Sequence, residues 1–555
     1  MVFKSIVPQV EIPSLDVASF CIGASKINAP SPGTLAYHDL STSESLTHGE
    51  LASMHEQIGS GLVNQLKVQA GNIAAIFASN SVYYAPVFLG IISAGAVSCT
   101  VSSTFGESEL EYQLEDCKAS VLFVGIKQVQ VVKQAIANGR VKIPHSRIIV
   151  MARSEQASGF RSLGSLLDSR PYKPLRINSK DVAARTMAVI VYSSGTTGLP
   201  KGVMLSHRNL VACAVLNAAV FQFQAEQAQS RSTSVDSEKV QRSIAILPFA
   251  HIYGLTSLVT NSVAGGRTQF IMSKFSISRF LQAIETFKIQ VASVVPSIMN
   301  QIAKHEHLEQ YDLSSLQVLG SGAAALPGGI HKQIRAKFSG NTVNGYGMSE
   351  TCSGVCIMSN YKFTAGSVGF LYPGIEAKIV DPTTGGELQA GQEGELCLRG
   401  PTIMLGYLNR PKETQQVIKQ GFLHTGDIAY IDSNGLVFIT DRIKELIKYK
   451  GMQVAPAEIE GILMDHPQIA DAAVIGVGDS TRGSEVPMAL IVPKGRCDEK
   501  ELCRSAEEWV ANRAADHKRL RGGVRIINDI PRNASGKILH RDLRLQFQAQ
   551  QIAKI

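Results

Sequence analysis

None of the nine cysteines form a CxxC pair; they lie singly at Cys21, Cys99, Cys117, Cys213, Cys352, Cys356, Cys397, Cys497 and Cys503. That argues against a zinc site or a disulfide framework and for reduced core thiols in an intracellular protein. No apolar run is long enough to cross a bilayer. The most apolar stretch, Ala85–Val97, is too short and contains Pro86, Gly90 and Gly95. The opening residues, M-V-F-K-S-I-V-P-Q-V-E, lack the continuous apolar core of a signal peptide, so a soluble protein is expected. The net charge of +8 is mild for 555 residues. Lys and Arg are scattered rather than gathered among aromatics, which speaks against nucleic-acid binding but suits small anionic substrates. No short internal repeat, no catalytic Ser-His-Asp set and no nucleophilic cysteine is apparent. With 45% hydrophobic and 18% charged residues the chain is globular, and its length calls for two or more domains.

What is present centres on Tyr192–Gly202, Y-S-S-G-T-T-G-L-P-K-G. Thr186–Val191 before it reads as a buried strand; Ser206 and Asn209 after it offer caps for a helix over Leu210–Phe221. The unit expected is strand, loop, helix. Gly195 and Gly198 allow positive φ, so that successive N–H groups can face one anion. Ser193, Ser194, Thr196 and Thr197 add hydroxyls, and Lys201 adds a charge. A polyphosphate suits this loop. No Gly-Lys-Ser/Thr opens the helix, so it is not a Walker A loop.

Over residues 72–150, short apolar strands alternate with helical segments, and the pattern resumes over 243–338; both imply parallel sheets covered on two faces. The polar run Ala225–Glu238 reads as a surface insertion. From Gly366 onward, dense Gly and Pro suit antiparallel structure, with Asn434-Gly435 signalling a type I′ hairpin over Ile428–Thr440. A compact α+β segment follows Asp441-Arg442. Gly345-Tyr346-Gly347 should follow a short strand at Thr342–Asn344, its glycines giving a flat ring close access to a ligand. Small residues at Ser321–Ala325 leave room beyond the strand Leu316–Leu319. Lys444 and Lys448 would share a solvated helix face.

The loop is similar to the signature phosphate loop of the adenylate-forming superfamily: acyl-CoA synthetases, 4-coumarate–CoA ligases, beetle luciferases and peptide-synthetase adenylation domains. Further matches extend the resemblance over nearly the whole chain. It implies an α/β fold: a large N-terminal domain (1–440) of stacked mixed sheets with helices and a small β-barrel-like part, and a mobile α+β C-terminal domain (441–555) hinged at Asp441. In Gly345–Glu350 it implies that Tyr346, flanked by Gly345 and Gly347, packs on adenine, with Gly347 and Met348 also at the nucleotide. Ser349, threonine in most relatives, would meet the α-phosphate, and Glu350 would hold Mg²⁺, which takes hard oxygen ligands. Ala323 would edge the adenine and the acyl pocket. Asp427 of Thr425-Gly426-Asp427 would accept the ribose hydroxyls, with Arg442 as companion from across the hinge. His251 and Tyr253 read as pocket and gate rather than as acid or base. The run Ile443–Val454 would give Lys448 to the acyl-adenylate, Lys450-Gly451 to CoA and Gln453 to the adenylate. Pro531–Lys537 resembles the loop that carries the adenylation lysine, Lys537.

The implied reaction joins a carboxylic acid to ATP as acyl-AMP with loss of pyrophosphate, then to CoA with loss of AMP. Lys537, Lys201 and Mg²⁺ would neutralise charge at the phosphates. By resemblance Tyr253, Val295, Met299, Ala323, Gly345 and Ser353-Gly354 line the acyl pocket. Plant coumarate ligases commonly have Pro-Val at Ser353-Gly354 and often Gln at Asn344, so a different aryl acid or a medium- or long-chain fatty acid is expected. The alternatives are a luciferase-like oxygenase, an adenylating enzyme that loads a carrier protein, and a non-catalytic nucleotide-binding module. Ala553-Lys554-Ile555 approximates the peroxisomal Ser-Lys-Leu address, making the import receptor a candidate partner.

Overall fold

The computed structural model describes all residues except 30, 155–158, 194–198, 230–241, 359–362, 450–451, 480–483, 534–535 and 553–555. Its architecture follows from the burial of apolar strands. Val97–Val101 is buried along its whole length and lies inside an eight-stranded sheet, between Met187–Ser193 and Ile73–Phe77, all parallel. Alternate residues point to opposite faces of this sheet: Ala74 and Ile76 enter the main core, Ala75 and Phe77 a second one. A nine-stranded sheet packs across the main core. Its parallel centre runs Asn341–Met348, Val318–Ser321, Val291–Val294, Arg242–Ala245, Thr268–Ile271. Its outer face meets the third sheet, where Val318 and Val343 pack with Ile379, Leu396 and Leu398.

That third sheet is antiparallel and branched, with Phe422–Ile431 pairing Ile418–Lys419, Gly394–Arg399 and Val437–Arg442; it is the barrel-like part expected from Gly366 onward. Among the described residues, strands from Ile447 on pair with one another and not with the large sheets. Ile469–Asp479, Ser484–Pro493 and Val524–Ile526 form a small sheet packed by the helices Pro456–Met464 and Glu499–Ala511. This C-terminal unit sits on the larger one through Lys304, whose Nζ donates to Ile469 O at 3.1 Å, and Asn300, whose Nδ2 donates to Ala470 O at 3.1 Å. Among the described residues no helix is long and apolar enough to cross a membrane, and all nine cysteines are free.

Local expectations fail in four places. After the Ser/Gly/Thr loop the chain forms a second strand, Lys201–Ser206, antiparallel to Met187–Ser193, so the unit is a hairpin leading into the helix. Lys201–Ser206 is half-apolar and short enough to be mistaken for loop. The caps are as expected: Asn209 N–H donates to Ser206 Oγ at 3.1 Å and Ser206 N–H to Asn209 Oδ1 at 2.8 Å, at the start of the helix His207–Gln229. That helix takes in Ala225–Gln229 of the supposed insertion, and 230–241 lie outside the described residues. The Asn434-Gly435 turn is not type I′, because only Gly435 has positive φ (81°); Asp432 Oδ1 accepts the N–H groups of Asn434 and Leu436 and shapes a longer loop instead. Lys448 lies on a strand, Ile447–Tyr449, and shares no helix face with Lys444.

Candidate active site

A cleft of about 2030 Å³ opens beyond the carboxyl ends of the parallel strands of the nine-stranded sheet. Ser193, Lys201, Tyr346 and Glu350 from the large unit and Lys537 from the C-terminal unit all line it. Gly345, Tyr346, Gly347 and Met348 belong to the strand Asn341–Met348 itself rather than to a loop after it. Gly347 is required by backbone packing: a Cβ there would lie 1.9 Å from Ser353 O. Gly345 has no such conflict, its nearest neighbour to an added Cβ being Cys356 O at 3.5 Å. Ala323 (φ 71°) and Ser353 (φ 80°) hold left-handed conformations on the cleft wall, an uncommon backbone state for side-chain-bearing residues.

Glu350 stands on the single turn Ser349–Thr351 and is only 5% exposed. Its Oε1 accepts from Tyr407 Oη at 2.9 Å and from Ser193 Oγ at 3.3 Å. Burial raises the Tyr407 pKa, so that hydroxyl stays a donor. The Lys201 ammonium lies 5.1 Å from the centre of the Tyr407 ring and pairs with Glu413. A carboxylate, a hydroxyl and an ammonium thus share one corner. Ser194, Gly195, Thr196, Thr197 and Gly198 lie outside the described residues, but both flanks of their loop are anchored. Tyr192 Oη donates to Asp116 at 2.7 Å, Asp116 also receives Arg410 Nη1 at 3.0 Å, and Tyr112 Oη donates to Pro200 O at 2.8 Å.

Asp427 is 2% exposed and stands behind Tyr346. Its Oδ2 accepts from Tyr346 Oη at 2.6 Å, and its Oδ1 pairs with Arg442 Nε at 3.0 Å. Arg442 is its cross-strand neighbour in one hairpin, not a partner from a separate element. Asp441, buried beside it, accepts the N–H groups of Arg442 (2.6 Å) and Ala457 (3.3 Å); burial, with Glu445 and Glu460 near, pushes its pKa up to about 7. Burial pulls His251 down to about 4, and its Nδ1 accepts the Tyr253 N–H at 3.3 Å, so the imidazole is neutral at neutral pH. Tyr253 is pushed up to about 12 by burial.

Lys537 is fixed at both backbone and side chain. Its N–H donates to Asn533 Oδ1 at 2.9 Å, its carbonyl accepts the Asn533 N–H at 2.9 Å, and its Nζ donates to Glu445 Oε1 at 3.0 Å. Lys448 is exposed and does not line this cleft. Lys450 and Gly451 lie outside the described residues, as does the Gln453 side chain. Two expected pocket residues are elsewhere. Met299 is fully buried in the core on the helix Pro296–Ala303, and Val295 packs under Gly536, 3.0 Å from the position of a Cβ there. The resemblance alone places both in the pocket; their apolar side chains equally suit a core.

Sequence reading missed Tyr407, Glu445 and the group Glu395, Cys397 and His424. Tyr407 reaches Glu350 from a distant segment with no motif of its own. His424 Nδ1 lies 2.7 Å from Glu395 Oε2 and 3.4 Å from Cys397 Sγ, an arrangement made by strand register (Cys397 opposite His424) that no spacing announces.

Residues 26–408 match the AMP-binding enzyme family and residues 458–537 the AMP-binding enzyme C-terminal domain. The chain is 35% identical to 4-coumarate–CoA ligase 1 of Petroselinum crispum, over 100% of this chain and 98% of that protein. It is also 35% identical to 4-coumarate–CoA ligase-like 9 of Oryza sativa subsp. japonica (98% and 95%). Its fold matches the anthranilate CoA ligase AuaEII in complex with anthranoyl-AMP, with a TM-score of 0.84 at 23% identity over 98% of this chain and 99% of that one. ATP-bound MatB from Rhodopseudomonas palustris gives 0.79 at 24% identity (96% and 99%). With this match over most of its length and these relatives, the chain belongs to the AMP-binding enzyme family.

Proposed function

We propose that this protein is an AMP-forming acid–CoA ligase that converts a carboxylic acid and ATP to acyl-AMP and pyrophosphate, then the acyl-AMP and CoA to acyl-CoA and AMP. The observation that carries this reading is the convergence on one cleft of Lys537 from the C-terminal unit with Ser193, Lys201, Tyr346 and Glu350 from the large unit. The names of the relatives, 4-coumarate–CoA ligases, support the same class.

The residues divide the work by chemistry. Tyr346 presents a flat face for the adenine, and the buried Asp427–Arg442 pair stiffens its rear and offers the remaining carboxylate lone pairs to the ribose. Lys537 and Lys201 present ammonium groups where negative charge moves from the α-phosphate to pyrophosphate. His251, neutral, shapes the acyl entrance and carries no proton. The donor set of Glu350 and Ser193, hard oxygens with one Glu350 oxygen unpaired among the described residues, fits Mg²⁺, which when bound supplies further charge neutralisation at the phosphates. The C-terminal unit turns about Asp441 between the half-reactions, exchanging Lys537 for Lys448, Lys450-Gly451 and Gln453. The acid is an aryl acid or a medium- or long-chain acid.

Pyrophosphate release across a panel of aryl and aliphatic acids, followed by thioester assay on adding CoA, tests the reading. Acid-dependent pyrophosphate followed by CoA-dependent thioester is expected; light or oxygen consumption in place of thioester would assign a luciferase-like reaction. Gly354→Val should shift preference toward smaller acids with the ATP KM unchanged, because Gly354 lines the cleft, where even an added Cβ stands 3.1 Å from Tyr372 Oη. Equal losses for all acids would contradict a pocket role. We further propose peroxisomal import through Ala553-Lys554-Ile555. Deleting the tripeptide should leave catalysis intact and abolish import, and import that survives deletion would remove the tail as an address.

A further inference from the structure

We propose that the deep end of the cleft is an anion subsite built on Arg267, and that the acid this enzyme activates carries a second carboxylate at its far end. The inference rests on the acid–CoA ligase reading and names the substrate class within it. Strand register places the subsite. Ser243 pairs with both Gln269 and Val291, and Val291 with Val318, so the four share one rung of the parallel sheet, and all four line the cleft. Ser293 and Gly320 line it on the next rung of the same face, and Gly322 beyond them leads toward Tyr346. From Val318 to Gly322 is four residues, about 13 Å at ~3.3 Å each. The cleft therefore continues well below the nucleotide end, under the helix His207–Gln229, whose Asn217 and Phe221 also line it.

At the bottom the wall turns polar. Arg267 lies two residues before Gln269 and lines the cleft. Among the described residues its guanidinium makes no ion pair and no hydrogen bond. Burial lowers its pKa, and no acidic group acts against that shift. On the same rung Gln269 (1% exposed) and Ser243 (2% exposed) hold buried polar atoms, Oε1 and Oγ, without partners among the described residues, while the Gln269 Nε2 donates to Ser262 Oγ at 2.9 Å. Arg267 is half-buried, and a partly desolvated cation that offers only donors gains from an acceptor that arrives with the ligand. A carboxylate fits the planar guanidinium in two-point contact and takes a further hydrogen bond from the Ser243 hydroxyl. A plain fatty acid would leave its methyl end against that charge. The length of the cleft suits a chain of roughly ten carbon atoms between the two carboxyls.

The test compares α,ω-dicarboxylic acids with monocarboxylic acids of equal length in pyrophosphate release, using wild type, Arg267→Leu and Arg267→Lys. Wild type should favour the diacid. Arg267→Leu should lose roughly 10- to 100-fold in kcat/KM for the diacid, carried in KM, and should keep or improve its rate with the monoacid; Arg267→Lys should recover part of the loss. The ATP KM should stay constant throughout. Equal loss on both acids, or a wild type that favours the monoacid, overturns the subsite. Thermal stabilisation by the diacid alone, without ATP, reads the subsite apart from turnover. Stabilisation of wild type that Arg267→Leu abolishes supports the subsite even if no acid releases pyrophosphate, in which case the ligase reading fails by itself. Stabilisation retained in Arg267→Leu, or absent from both, overturns it.

Discussion

Replacing Lys537 with alanine should cut acyl-adenylate formation by roughly 10²–10³, the scale of losing one preorganised electrostatic donor, while supplied acyl-AMP and CoA still give thioester at near the native rate. The asymmetry follows from position. Lys537 reaches the cleft from the C-terminal unit and is pinned there by Asn533 and Glu445, whereas Lys448 is exposed and turned away. In the proposed account this seating serves only the first half-reaction. Among the described residues the units meet through Lys304 and Asn300 on the carbonyls of Ile469 and Ala470 and through Val295 against Gly536, contacts that the proposed rotation about Asp441 would break and remake. Separate assays of acyl-AMP formation and acyl-AMP consumption decide the matter. Equal slowing of both by Lys537→Ala would remove the two-arrangement mechanism.

Asp427→Ala should weaken ATP sharply, raising its KM by roughly 10- to 100-fold, since a charge-assisted acceptor for the ribose is worth about 1.5–3 kcal/mol. A second effect should accompany it. The variant strips Tyr346 Oη and Arg442 Nε of the partner they share, so the ring proposed to pack on adenine loses its rear support. The melting temperature should fall as well, because two polar groups at the cleft wall each lose a buried charged partner. Asp427→Asn keeps one acceptor oxygen and should lie between wild type and alanine on both measures. An unchanged ATP KM in Asp427→Ala would contradict the ribose role.

The parallel sheets were legible because their strands are short, apolar and buried on both faces, which gives Ala74–Phe77 or Val97–Val101 no competing reading. The caps at Ser206 and Asn209 were legible because capping is local chemistry. What escaped was set by register and distance. The strand Lys201–Ser206 is set by its pairing with Met187–Ser193 on one side and Gly406–Tyr407 on the other. The type I′ turn gave way to the Asp432 carboxylate, whose hydrogen bonds the Asn-Gly signal does not contain. Tyr407 meets Glu350, and Glu445 meets Lys537, only through contacts between segments remote in sequence, which no local spacing announces. Met299 and Val295 show the converse: apolar residues near a pocket in sequence that the fold spends on its core.

The most direct test of the account follows the oxygen atoms of the acid. With a carboxylate labelled in heavy oxygen and unlabelled ATP and CoA, passage through acyl-AMP must leave one acid oxygen on the phosphorus when CoA displaces AMP. The account predicts label in AMP, one atom per thioester formed, with pyrophosphate unlabelled. Label in inorganic phosphate together with ADP, or thioester formed with no label in AMP, would contradict it.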